Sequence, residues 1–133
     1  MENQIQLICE EWDHDAGETI AHNIAQSHRI GWFNINTTRE DLKRMGIHLY
    51  YTKLPCPPER KAEWHAKREQ FMLRKIEESR TGATELLILC GFDHVGPLSN
   101  LLLDGLTDVK TIDYRLAPWY QAGLFVGSHV TRP

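Results

Sequence analysis

Short apolar runs alternate along this chain with longer segments in which apolar residues recur every three or four positions. Short apolar runs rich in β-branched side chains are typical of strands buried on both faces. We predict strands over residues 5–9, 31–36, 85–90 and 109–114. Apolar spacing of three and four is the pattern of one buried face of a helix. We predict helices over residues 16–28, 38–46, 59–79 and 96–105.

Strands that alternate with helices imply a mostly parallel sheet covered on both faces. We therefore expect an α/β fold, in which residues 1–133 form a single three-layer domain with a small sheet of about four strands. The segment after Pro118 is too apolar to stay exposed to solvent, so we expect it to pack on the domain or across a homodimer interface.

Polar and special residues predict where several elements begin. Asp15 is expected to cap the first helix, and Thr38 with Asp41 has the spacing of a capping box for the second. Pro58 suits the first turn of the long helix. Residues 91–94 are expected to form the turn that precedes the last helix.

Composition excludes several classes of protein. The net charge is −3, and a protein that coats nucleic acid would need clustered excess Lys and Arg instead. The three cysteines include no Cys-x-x-Cys pair, so a thiolate zinc site is not expected. No apolar run reaches the roughly 18 residues of a membrane span, and the N-terminus lacks the pattern of a signal peptide. We expect a cytoplasmic protein with neither a membrane nor a nucleic-acid partner.

The concentrated chemistry follows two predicted strands. Residues 10–15 read Glu-Glu-Trp-Asp-His-Asp, and residues 91–94 read Gly-Phe-Asp-His. Ligands bind open parallel sheets outside the carboxyl ends of the strands, and carboxylates and imidazoles bind metals and move protons. If the two strands are neighbours, Glu10 or Glu11 would come within reach of His94. The alternative interpretation is structural, with Asp side chains as helix caps and His14 in solvent.

The long predicted helix adds a cation to this picture. Arg68 falls in the middle of the apolar stripe, where a guanidinium needs either an anionic partner or an exit to water. It either extends its stem along the surface or points towards the carboxylates or a bound anion. His65 lies at the edge of the stripe and is expected to be a plain surface or half-buried histidine. The stripe consists of Trp64, Phe71, Met72 and Ile76.

Short motifs in the second half resemble the Tiki/TraB group, whose superfamily also contains erythromycin-esterase-like and ChaN-like haem-uptake members. Residues 68–72 are similar to the group's arginine-containing helix, and residues 91–94 match its G-x-x-H motif after a strand. The resemblance covers about residues 68–112 together with the Glu pair at 10 and 11. It implies that the site residues are Glu10, Glu11, Arg68 and His94.

We therefore predict a small hydrolase-like or metal-assisted site that takes a small-molecule ligand. Glu10 or Glu11 would be the general base or a ligand, and His94 a ligand or an acid/base group. A divalent metal, if one is used, would be held by Glu11 and His94, whereas Arg68 would clamp an anion or orient a carboxylate. The second hypothesis is a non-catalytic ligand-binding or assembly module of the same fold.

Overall fold

The structure is a computed structural model, and it describes residues 4–103 together with Val109 and Thr111. The chain divides into two compact units between Leu89 and Cys90. In the first unit, the elements are β1 (Leu7–Glu10), α1 (Ile20–Ser27), β2 (Gly31–Asn34), α2 (Arg39–Arg44), α3 (Pro58–Arg80) and β3 (Leu86–Leu89). In the second unit, the described helix is α4 (Phe92–Leu103).

The three strands form one open, parallel sheet in the order β2-β1-β3. Helices precede β2 and β3 in the chain, as is usual for connections between parallel strands. The combination of helices with a parallel sheet confirms the predicted α/β class. β1 lies in the centre, so the strand that ends at Glu10, directly before Glu11, is the neighbour of β3. The predicted strand at 109–114 and the apolar tail after Pro118 lie outside the described residues, apart from Val109 and Thr111.

The central strand begins later and ends later than the sequence predicts. All four residues of β1 are buried, whereas Ile5 is exposed and precedes the strand. Glu10 is the last strand residue, in register with Asn34 of β2 and Leu89 of β3. Its backbone is therefore fixed by the ladder, since Ile35 N donates to Glu10 O at 2.9 Å.

The first helix differs most from its prediction. It begins at Ile20, and its N-cap is Thr19, whose Oγ1 accepts from His22 N at 2.9 Å, so the expected cap at Asp15 is wrong. Ile20 is 78% exposed, while Ala25 is fully buried. Ala25 is the buried residue of α1, whereas Ile20 and Ile24 are both exposed.

The second and third helices follow the sequence closely. Thr38 and Asp41 form the predicted capping box at the start of α2, and Gly46, with φ of +71°, ends that segment in a conformation that favours glycine. α3 starts at Pro58 and ends with Thr81 in the left-handed region. The predicted stripe faces inward, as its members Phe71, Met72 and Ile76 are buried.

The second unit contains a correction to the predicted turn at residues 91–94. α4 begins at Phe92, so His94 lies inside the first turn of the helix. Pro97 is the sixth helical residue and does not start the helix as predicted. His94 and Leu98 are both buried, which is consistent with their i, i+4 spacing on one face. Within the described part of the chain, no helix combines the length and apolar character needed to cross a bilayer.

Candidate functional site

The two glutamates at the end of β1 have separate sets of partners. Successive side chains of a strand point to opposite faces of the sheet. Glu10 shares its face with Ile8 and Trp32, which are paired in the ladder, whereas Glu11 reaches Arg68 of α3. The repulsion expected between adjacent carboxylates is thus reduced, because each has its own hydrogen-bond donors.

Glu10 is a buried structural anchor. Its side chain accepts two hydrogen bonds at Oε1, from Thr19 Oγ1 at 2.7 Å and from Trp32 Nε1 at 2.9 Å. Glu10 is 8% exposed. The indole of Trp32 stacks on His22 with a centroid separation of 4.2 Å. Glu10 therefore joins β1 to the N-cap of α1 and to β2, and its two donors offset part of the cost of burying the carboxylate.

Glu11 and Arg68 form an ion pair between the end of β1 and α3. Arg68 Nη2 lies 2.7 Å from Glu11 Oε2, and the two side chains are 15% and 11% exposed. The same Nη2 donates to Asn36 Oδ1 at 3.2 Å, and Nη1 donates to the Tyr51 hydroxyl at 3.2 Å. Of the two interpretations of Arg68, the structure supports the one in which the guanidinium points to a carboxylate rather than extending into solvent.

Tyr51 extends this network to a histidine. The Tyr51 hydroxyl lies 2.8 Å from His65 Nδ1 and 3.2 Å from Arg68 Nη1, so it links the two residues. His65 is half-buried, which is one of the two positions that the sequence predicts for it. Burial raises the pKa of Tyr51, and the hydrogen bond and charge of Arg68 only partly oppose this. The tyrosine is therefore the protonated, hydrogen-bonding form at neutral pH.

Loops that follow β1 and β2 are joined to each other beside this network. The Trp12 backbone oxygen accepts from Asn34 Nδ2 at 3.0 Å and from Asn36 Nδ2 at 3.1 Å. His14 Nε2 lies 3.1 Å from the Asn36 backbone oxygen on the exposed side. Asn36 thus positions both loops and the guanidinium of Arg68. The loops after β1 and β2 are thus held together by hydrogen bonds, and a preorganised site needs such fixed positions.

The acidic residues between Trp12 and the first helix are structural, although not as helix caps. Asp13 Oδ1 accepts from the backbone N–H of Asp15 at 3.0 Å, which closes a local turn. Asp15 forms an exposed ion pair with Arg39 at 3.6 Å. Neither residue contacts α1 as the predicted cap.

His94 is described within the second unit only. It is 4% exposed, and its backbone N–H donates to the Gly91 oxygen at 3.0 Å. The predicted approach of His94 to Glu10 or Glu11 stays a prediction. The adjacency of β1 and β3, on which that prediction depends, is confirmed.

A divalent metal at Glu11 does not fit the described surroundings. The Glu11 carboxylate already lies 2.7 Å from a guanidinium, whose positive charge opposes a cation at the same oxygen. Among residues 4–103, 109 and 111, no three His, Cys, Asp or Glu side chains are grouped as metal ligands.

Two cavities open on the surface of the first unit, along α2 and α3. One has a volume of about 290 Å³, and its lining includes Asp41, Arg44 and Phe71. The other has a volume of about 410 Å³, and its lining includes Met45 and Ala66. Neither cavity is lined by a residue of the Glu11–Arg68 network.

Comparison with known proteins adds no relative to this picture. No family model, no curated protein and no solved structure matches the chain. The resemblance to the Tiki/TraB group therefore remains an expectation from the sequence.

Sequence reasoning missed two members of the network, Asn36 and Tyr51. Asn36 follows β2, and the rule that ligands gather at the carboxyl ends of parallel strands could have indicated it. His65 and Arg68 are three residues apart, so they lie on the same side of a helix. No local pattern could have indicated Tyr51, because it reaches them from a loop.

Proposed function

We propose that the chain is a small hydrolase-like enzyme whose acid–base site lies at the carboxyl ends of β1 and β2. Glu11 would be the general base and Arg68 the residue that orients it, and His94 stays an acid/base candidate on sequence grounds alone. The observation that supports this proposal is the largely buried Glu11–Arg68 ion pair. Its surroundings are polar and ordered, with Asn36 and Tyr51 contacting the same guanidinium.

A purely structural explanation of the ion pair is weaker than a functional one. Removing two charges from water costs several kcal/mol per ion, so a buried pair gives little net stability over apolar packing. Ionisable groups held in a fixed array at the ends of parallel strands are where acid–base chemistry is usually found. The position and the cost of the pair together favour a site.

In the proposed reaction, Glu11 would accept a proton from water while the water oxygen forms a bond to a carbonyl carbon. The carbonyl would then re-form as the bond to the leaving group breaks, and the leaving group would take the proton from the protonated Glu11, which returns to its carboxylate form. Arg68 would keep the carboxylate in one orientation during both proton transfers. Such positioning accounts for much of the rate that enzymes gain over solution.

The proposal is tested with the full chain and a panel of uncharged ester and amide substrates. We expect turnover by the wild type, and a loss of at least roughly a hundredfold in kcat for Glu11→Gln, because general base catalysis contributes about 10²–10⁴-fold. Arg68→Met should also lower kcat, since it removes the orienting charge and leaves the apolar stem.

Arg44→Met is the matched control for Arg68→Met. Arg44 forms an ion pair of the same 2.7 Å length with Asp41, but its side chain is 75% exposed. Turnover by the Arg44 variant should equal that of the wild type. The proposal would be contradicted if the Glu11→Gln variant were as active as the wild type. It would also be contradicted if the wild type turned over no substrate of the panel.

A non-catalytic ligand-binding module is the second candidate. The two surface depressions along α2 and α3 favour it, since the larger, open to solvent and about 410 Å³ in volume, has room for a small molecule. In this case a ligand would bind without turnover. Binding would be lost on filling that cavity by Ala66→Trp and retained in Glu11→Gln.

Other features of the full chain are proposed on sequence grounds alone. We propose that residues 109–114 add a fourth strand and complete a three-layer domain. We also propose that the apolar segment after Pro118 joins two copies in a homodimer, that the protein acts in the cytoplasm, and that its ligand is a small molecule. Sedimentation and limited proteolysis of the full chain test the dimer, because a buried tail resists cleavage.

A further inference from the structure

The ring of Tyr51 is held in place by packing, in addition to the contacts that its hydroxyl makes. It lies in the loop between α2 and α3, is 3% exposed, and belongs to a core cluster with Leu42 and Ile47. Its ring meets that of Trp64 edge-on at a centroid distance of 5.3 Å. A ring held by packed neighbours and an aromatic edge brings its hydroxyl to one place.

The direction of each hydrogen bond at the Tyr51 hydroxyl follows from the donors available. Arg68 Nη1 is a donor only, so the hydroxyl accepts from it across 3.2 Å. The single hydroxyl proton is then directed to His65 Nδ1 at 2.8 Å. A neutral His65 that accepts at Nδ1 carries its own proton on Nε2.

The guanidinium of Arg68 depends on this contact for its orientation. Its Nη2 donates to Glu11 and Asn36, while its Nη1 is held by the Tyr51 hydroxyl. Its Nε is buried and has no hydrogen-bond partner among the described residues. Without the hydroxyl, the planar group would be held from Nη2 alone and could rotate away from Glu11.

We propose that Tyr51 and His65 are positioning residues of the site, forming a hydrogen-bond branch that fixes Arg68 and through it Glu11. His65 and Arg68 lie three residues apart on α3, so one tyrosine reaches both. Because the Tyr51 hydroxyl donates its proton to His65, its oxygen faces Arg68 as a hydrogen-bond acceptor. The proposal rests on the proposed function for its role in catalysis, whereas the orientation of Arg68 is measurable without any substrate.

The experiment measures the coupling between Glu11 and Arg68 in chains with and without the branch. A double-mutant cycle of Glu11→Gln and Arg68→Met gives this coupling as a factor on the unfolding equilibrium constant. In the Tyr51→Phe background we expect that factor to fall at least about fivefold. A merely structural tyrosine would change the stability of every member of the cycle and leave the coupling unchanged.

Two replacements at His65 separate the hydrogen bond from the space that the ring fills. His65→Asn places an amide oxygen near the position of Nδ1 and keeps an acceptor, whereas His65→Leu has none. We expect the Glu11–Arg68 coupling to be retained with Asn and lost with Leu. Equal coupling in the two variants would overturn the role of His65.

Nitrogen-labelled histidine provides a spectroscopic check on the branch. The NMR signals of His65 should show the neutral ring protonated at Nε2, with Nδ1 as an acceptor, and Tyr51→Phe should remove the hydrogen-bond shift at Nδ1. Tyr50→Phe is the control, because Tyr50 is the neighbouring residue and is 49% exposed. A ring protonated at Nδ1 in the wild type would overturn the assigned direction of the hydrogen bond.

The inference and the proposed function can fail separately. Unchanged coupling in Tyr51→Phe, in a chain whose hydrolysis is lost in Glu11→Gln, overturns the inference alone. Reduced coupling in a chain that hydrolyses no substrate overturns the proposed function and supports the positioning of Arg68. If both stand, Tyr51→Phe and His65→Leu should lower kcat at least about tenfold with little change in KM.

Discussion

Two ion pairs of the first unit have the same length and different surroundings. Arg68–Glu11 and Arg44–Asp41 both join an Nη2 to a carboxylate oxygen across 2.7 Å. Arg68 is 15% exposed, and it bridges α3 to the loop after β1. Arg44 is 75% exposed, and it reaches back three residues along α2. Distance alone therefore does not distinguish a site from a surface contact.

The difference lies in what else each guanidinium contacts. Arg68 also contacts Asn36 and Tyr51, so several elements are fixed by one side chain. Arg44 stays within the short helix that Asp41 already caps. A charge away from solvent that loses its partner is destabilising, whereas an exposed charge is simply hydrated.

The largest effect is expected for Arg68→Met, which keeps the apolar stem and removes the charge. Glu11 would be left largely buried without its cation, and breaking such a pair costs roughly 3–5 kcal/mol. Urea denaturation monitored by circular dichroism measures the loss. A change of less than about 0.5 kcal/mol, the size of an ordinary surface substitution, would mean that Arg68 is solvated.

A second contrast concerns the two threonine N-caps. Thr19 is buried and donates to Glu10, whereas Thr38 is only part-buried and bonds within its own capping box. Thr19→Ala should cost about 1–2 kcal/mol, because it removes the cap and one donor to a buried carboxylate. Thr38→Ala should cost about 1 kcal/mol. Thr19→Ser, which keeps the hydroxyl, is the control, and an equal loss for Ser and Ala would place the effect in the methyl group.

A smaller effect is expected on the free energy of unfolding at acidic pH. Burial alone would raise the pKa of Asp41, but hydrogen bonds from Thr38 and the charges of Arg44 and Lys75 outweigh it and lower the pKa. A lowered folded-state pKa gives stability that is present above the ordinary aspartate pKa and is lost as the pH falls below it. Asp41→Asn should therefore lower the free energy of unfolding at neutral pH and flatten its dependence on pH in the acid range. If the stability of the Asp41→Asn variant depended on acidic pH as steeply as that of the wild type, the lowered pKa of Asp41 would be contradicted.

The smallest effect is expected for Arg44→Met. An exposed pair three residues apart on a helix contributes a few tenths of a kcal/mol. The free energy of unfolding should therefore fall by less than about 0.5 kcal/mol. A loss comparable to that of Arg68→Met would remove the contrast between the two pairs.

Periodicity predicted the elements whose signals are local. The apolar stripe and Pro58 defined α3, and the capping box at Thr38 and Asp41 defined the start of α2. Position at a strand end and position on that stripe together indicated Glu11 and Arg68, which the structure joins. Local rules succeed where one element decides the outcome.

The errors arose where tertiary contacts decide the outcome. Thr19 replaces Asp15 as the cap of α1 because its hydroxyl also bonds Glu10, a partner nine residues away. Glu10 and Glu11 were grouped by sequence, whereas strand alternation gives them different partners. Tyr51 reaches Arg68 from a loop seventeen residues earlier, and no periodic pattern predicts such a contact.

The most direct test of the central claim is the double-mutant cycle of Glu11→Gln and Arg68→Met, measured by urea denaturation of the full chain. If the two residues act as one unit, the loss from both changes together should be smaller than the sum of the single losses, with a coupling of about 1.5–3 kcal/mol. The reference cycle of Asp41→Asn and Arg44→Met should give less than about 0.5 kcal/mol. Additive losses at Glu11 and Arg68 would show that the two side chains are not energetically coupled, and would contradict the proposal that they form one site.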